Sequence, residues 1–205
     1  MQGFLIEGRL QAYLAQVNRT SCARGHPRGL PTMLVPYPDL AAYRRPTPQH
    51  VDWLLSKGVR TSALIGPPMV LVAPGVRAPD GAFEDDPAGE DWLLFPEAED
   101  VVYWQLRSGK LARWNRRAFA IGEDSIHAAA TYSFDACLNV FADPVQWLRA
   151  GRDGIVIVDW SQTFDRLRDV PRIAVAQSLL DKLKHHLQPP RRPEIFVMRQ
   201  REAVA

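Results

Sequence analysis

Two alternating apolar runs flank a single Ser-Gly pair in VVYWQLRSGKLARWN, residues 101–115, and this stretch restricts the fold more than any other. A strand repeats its side-chain direction every two residues, and glycine supplies the positive φ that a tight turn needs. The stretch therefore predicts an antiparallel hairpin with a two-residue turn at Ser108-Gly109. In that hairpin Val102, Trp104 and Leu106 point one way, and Ala112 and Trp114 face likewise beyond the turn. RAFAIGED adds a third strand that runs to Ile121 and is broken by Gly122, so residues 101–121 read as an antiparallel meander.

The chain before the meander is punctuated by proline. Residues 3–17 place Ile6, Leu10, Tyr13, Leu14 and Val17 at helical spacing. Residues 19–48 are rich in Pro, Gly and Arg, which predicts an irregular surface segment. Thr47-Pro48 then supplies an N-cap with proline at the first helical position, and Gly58 closes that helix. SALIGPPMVLVAPG reads as strand, bend and strand, with Met69 to Ala73 as the firmer strand. DGAFEDDPAGED, residues 80–91, reads as a mobile acidic surface loop, and WLLF follows as another strand.

After the meander the pattern changes. Asp143-Pro144 is again a capped helix start, with Gly151 as its stop. Gly154 to Val158 reads as a strand. Val175, Leu179, Leu180, Leu183 and Leu187 trace one helix face that ends at Pro189-Pro190, and EIFVM makes a last strand. Strand, helix and strand in that order fit a right-handed parallel crossover. The expected fold is α+β, a mixed sheet with an antiparallel meander and a C-terminal strand-helix-strand crossover. Residues 1–205 are expected to form a single domain.

The composition sets the class. With 46% hydrophobic and 23% charged residues and no apolar run near membrane-span length, the chain reads as soluble and globular, without a membrane partner. MQGFLIEGRLQAYL has no basic n-region and carries Glu7 and Arg9, so a cytoplasmic location is expected. Cys22 and Cys137 have no partner spacing for a disulfide framework or a structural zinc. The net charge of +2 is partitioned: residues 61–100 hold nine Asp/Glu against one Lys/Arg, and residues 1–60 hold three against eight.

The pairing of DVVYWQLRSGKLARWNRRAFAIGED with DPVQWLRAGRDGIVIVDW resembles uncharacterised proteins found among proteobacterial phage and integrative-element cargo. The resemblance covers roughly residues 90–160. It implies a genetic setting, a mobile element, and assigns no activity.

Two sets of residues carry candidate chemistry. Asp159 ends the apolar run Ile155 to Val158, where metal-binding sheets place a carboxylate, and Glu123 with Asp159 can mimic the acidic positions of a Toprim-like or other metal-dependent nucleotidyl-transfer domain. Ser161 stands where that pattern wants a second Asp, so the residues favour Asp159 as a cap of the turn after the strand. The second set, Lys110, Arg113, Arg116 and Arg117 with Trp104 and Trp114, could neutralise phosphates and stack bases as a nucleic-acid-binding site. Its plainer reading is core tryptophans with a solvated arginine rim. His185 and His186 are adjacent and diverge by about 100° on a helix, and His26, His50 and His127 lack ligand spacing. No catalytic residue, metal site or cofactor is expected. The resulting expectation is a non-catalytic accessory protein that binds a protein partner or nucleic acid.

Overall fold

The computed structural model describes residues 36–189. The helix expected at 3–17, most of the segment 19–48, the strand expected at EIFVM, Arg191-Arg192, Cys22 and His26 lie outside the described residues. The strands are β1 (Leu71–Arg77), β2 (Phe83–Asp85), β3 (Glu90–Pro96), β4 (Val101–Trp104), β5 (Leu111–Arg113), β6 (Ala120–Ile121), β7 (Leu138–Val140), β8 (Val156–Ile157) and β9 (Ile173–Val175). The first five form an antiparallel sheet in the order β2-β1-β3-β4-β5. Its outer strands meet: Ala82 bridges Arg113, whose backbone N–H donates to the Gly81 carbonyl, so the sheet curls on itself. Together with the helices this gives an α+β fold.

Both faces of that sheet are buried, which is why WLLF reads as a continuous apolar run. Val72, Leu93, Phe95, Val102 and Trp104 face outward from the curl and pack with Leu54, Leu64, Trp147 and Leu148 from three helices, Pro48–Ser56, Ser62–Ile65 and Pro144–Arg149. Ala73, Phe83, Trp92, Leu94, Val101, Tyr103 and Ala112 alternate with them and fill the concave side. The Phe83 and Tyr103 rings stack there, 3.6 Å apart and 4° from parallel.

The hairpin forms, with a different turn and register. Gln105 N–H donates to the Lys110 carbonyl and Gly109 N–H to the Gln105 carbonyl, so the turn holds four residues, 106–109, instead of two. Ala112 pairs with Tyr103, and Trp114 N–H donates to Val101. Both therefore lie on the face opposite Val102 and Trp104. The third strand also departs from the meander. Asp100 is fully buried and accepts from the backbone N–H groups of Val101, Asn115, Arg117 and Ala118, turning the chain away after β5. Arg116 sits at φ 58° in that turn. β6 then pairs with β8 and not with β5.

The acidic stretch is not simply a loop. Phe83–Asp85 is a strand, Phe83 is buried, and β3 starts at Glu90. Alternating placement lets one apolar ring bury while Glu84 and Asp85 stay exposed. SALI is helical, because Ala63 and Leu64 enter the core together from one turn; a short apolar run does not itself choose between helix and strand. Thr47 and Asp143 cap their helices as expected, each accepting from the backbone N–H three residues on.

A second core lies under β6 to β9, built on Phe119, Leu138, Val140, Ile155, Ile157, Leu167 and Leu183. Its parallel pair is β7 with β9, Leu138 opposite Ile173, and Val140 also bridges Ile155 in parallel. Val175 belongs to β9 and not to the following helix, which spans Leu180–His186. No helix among the described residues is long and apolar enough to cross a membrane.

Candidate functional site

The basic hairpin residues do not converge on one face. Arg113 is largely buried and donates to the Ala118 carbonyl and, at 3.0 Å, to Asp159 Oδ2. Arg116 pairs with Asp80 at 2.8 Å, both side chains half exposed. Lys110 and Arg117 are exposed and make no ion pair among the described residues. Trp104 is 2% exposed and cannot offer a face to a base, and Trp114 spends its indole N–H on the Pro36 carbonyl.

The two nominated carboxylates are engaged within the fold. Glu123 Oε1 accepts from the backbone N–H groups of Phe119 and Ala120, fixing the start of β6. Asp159 caps the 3₁₀ turn Trp160–Gln162, accepting from Ser161 N–H and Oγ–H, the Gln162 amide and Arg113. Burial would raise its pKa, but the donors from Ser161, Arg113 and Gln162 outweigh it and hold the carboxyl at about 2. Asp159 is thus both a turn cap and half of an ion pair. Among the described residues no three His, Cys, Asp or Glu side chains group as a metal site.

His50 meets a carboxylate far from it in sequence, Asp91. Its Nε2 lies 3.3 Å from Asp91 Oδ2, and its Nδ1 lies 3.2 Å from the Thr47 N–H that it caps. Both ring nitrogens are therefore engaged with groups of the fold. His50 lines a cleft of about 330 Å³ with Trp53, Glu90, Gln105 and Arg107.

Glu97 and Arg152, neither of them singled out by the sequence, form the other polar site. Glu97 is 7% exposed; its Oε1 accepts from Gly122 N–H at 2.7 Å and its Oε2 from Glu123 N–H at 3.1 Å. Burial pushes its pKa well up, against those two donors and with repulsion from Glu123. Arg152 adopts φ 67°, unusual for a side chain with a Cβ. Its Nε donates to the Ala63 carbonyl at 2.7 Å, and its Nη1 to Pro68 at 2.6 Å and Gly66 at 3.5 Å. Burial lowers its pKa and the nearby Glu97 opposes that shift. In the sequence Glu97 and Asp100 belong to the acidic block of residues 61–100, where a charge count cannot separate buried carboxylates from solvated ones.

One surface residue stands apart. Phe134 is fully exposed in a segment where Phe134 and Asp135 take φ of 51° and 64°. Arg172 fixes the segment, donating to Asp135 Oδ1 at 2.6 Å and to the Tyr132 carbonyl at 3.0 Å.

Compared with family models, with curated proteins and with solved structures, the chain matches none.

Proposed function

We propose that this protein is a non-catalytic accessory protein that binds a protein partner through the Phe134 loop, in the mobile-element setting that the resemblance implies. The exposed Phe134 ring carries this reading. Burying a phenylalanine side chain contributes about 1.5–3 kcal/mol, and here that contribution is left unused by the fold. Left-handed backbone at two consecutive non-glycine residues is disfavoured, yet the Arg172 contacts hold it and keep the ring outward. A rigid aromatic knob on a tied loop is the form that interface anchors take. The partner is therefore a protein with an apolar pocket.

A nucleic-acid partner has less support, because Arg113 and Arg116 are matched by Asp159 and Asp80 and Trp104 is interior. The nucleotidyl-transfer alternative needs Glu123 and Asp159 to turn toward a shared metal ion. Each is instead committed to donors of its own loop.

The test is site-specific crosslinking in the cells that produce the protein, with a photoreactive phenylalanine analogue in place of Phe134. One predominant protein adduct is expected, and Phe134→Asp should lose the same partner in pull-downs while keeping its melting temperature. Equal capture by Phe134→Asp and the wild type would overturn the assignment.

A further inference from the structure

We propose that the cleft where β3 and β4 part is a binding site for a small zwitterion, an amino acid or dipeptide with an apolar side chain. The two strands pair from Leu93 with Trp104 to Pro96 with Val101. Beyond that pairing Gln105 donates its backbone N–H to the Lys110 carbonyl, so the chain enters the turn and leaves a cleft of about 330 Å³ beside the start of β3. Trp53, on the helix Pro48–Ser56, and Leu106, in the turn, supply its apolar walls. An apolar cavity of about 150 Å³ takes a benzene-sized molecule, so an occupant of roughly ten to sixteen non-hydrogen atoms fits here.

The charged groups of the cleft select both ends of the ligand. Glu90 lines it from β3 and Arg107 from the turn, and both side chains are exposed with no hydrogen bond or ion pair among the described residues. Asp91 does not compete for the ligand's cation on equal terms, because its two oxygens already face Arg44 and His50. A purely anionic ligand would meet the like charge of Glu90 and a purely cationic one that of Arg107, whereas a zwitterion matches both.

Gln105 adds a neutral donor. The residue is 7% exposed, its Oε1 accepts from Ser108 Oγ–H, and its Nε2 is neither hydrogen-bonded nor fully enclosed. The little surface that Gln105 keeps therefore includes its amide N–H groups, and Gln105 is a wall of the cleft. A carboxylate or peptide carbonyl oxygen is the partner that such a donor takes. The Trp53 ring is packed against Trp104, with centroids 6.1 Å apart, so the apolar wall is in place before a ligand arrives.

The experiment is an NMR titration of the isotope-labelled full chain with L-phenylalanine and glycyl-leucine, alongside the N-acetylated and the C-amidated form of each. Saturable shifts are expected at the Trp53 indole N–H and the Gln105 side-chain amide, with dissociation constants in the millimolar range for ligands of this size. Each blocked form should bind about two- to fivefold more weakly, as the loss of one solvent-exposed ion pair implies. Glu90→Gln should remove the penalty of N-acetylation and keep that of amidation, and Arg107→Gln should do the reverse. Both side chains are exposed, so both variants should keep the wild-type melting temperature. Absence of saturable shifts at the two reporter groups, blocked forms that bind as well as the parent ligands, or penalties unchanged in both variants would overturn the proposal.

Discussion

Arg113 and Asp159 lie 3.0 Å apart across 46 residues of sequence, joining the end of the curled sheet to the turn that follows β8. Arg113 also donates to the Ala118 carbonyl, so one guanidinium holds both cores together. Asp159→Asn removes the charge and keeps the shape, and should cost about 1 kcal/mol, as for a weakened cap. The sign with pH follows from the depressed pKa. The stabilisation is fully present above the ordinary value of 3.8 and is lost as pH falls toward about 2. Wild type and variant should therefore converge in urea midpoint between about pH 4 and pH 2.

Glu97 should give the opposite slope. Its carboxyl titrates well above 4.5 in the fold because burial disfavours the charged form. Its contribution is fully present below the unfolded value and declines as pH rises through the folded one. Urea midpoints measured from pH 4.5 upward should show that decline in the wild type and a flatter profile in Glu97→Gln.

The observed register puts Ala112 against Tyr103 in the concave core, 1% exposed. Ala112→Leu should then overpack that side and destabilise by about 1–3 kcal/mol in chemical denaturation. Had Ala112 shared the face of Trp104, the change would be felt among the helices instead. Tryptophan fluorescence of Trp92 and Trp104 in single-tryptophan backgrounds distinguishes the two faces.

Phe83 anchors what the sequence presents as an acidic loop. Phe83→Ala should cost about 3–5 kcal/mol, since the ring stacks on Tyr103 and lies edge-on to Trp92. A loss below about 1 kcal/mol in thermal or urea melts would mean that the strand Phe83–Asp85 is not part of the core, as for an ordinary surface change.

With Arg113 and Arg116 already paired, the protein should show no salt-dependent binding to single-stranded or duplex oligonucleotides at micromolar concentration. Fluorescence anisotropy at low salt checks this. A log-log salt slope of two or more contacts, each worth about 0.7–0.9, flattened in the triple variant Arg113→Gln, Arg116→Gln, Arg117→Gln, would restore the nucleic-acid reading.

Local signals were the legible ones. Thr47-Pro48 and Asp143-Pro144 mark two helix starts because cap chemistry needs just the next few residues. Asp159 as a turn cap was legible for the same reason, whereas its partner Arg113 was not, being fixed by tertiary pairing. Ala112 was misplaced because the Ser108-Gly109 pair sits at the end of a four-residue turn, and turn length sets the register. The departure of β6 from the meander depends on Asp100, whose four N–H donors come partly from residues 115–118. Glu97 and Arg152 come together only once Gly122, Gly154 and the turn after Gly151 have placed them, and nothing adjacent to either residue signals it.

The bridge between Ala82 and Arg113 has a consequence for how this molecule meets others. A ribbon whose two margins touch leaves few main-chain groups open to a strand from another chain, so it is a poor template for fibre growth or strand exchange. Where Ala82 meets Arg113, recognition by main-chain pairing, a common way for sheet proteins to capture extended peptides, is hindered at this margin of the five-stranded sheet. A partner that meets the curled sheet at that margin must read side chains instead of main-chain groups.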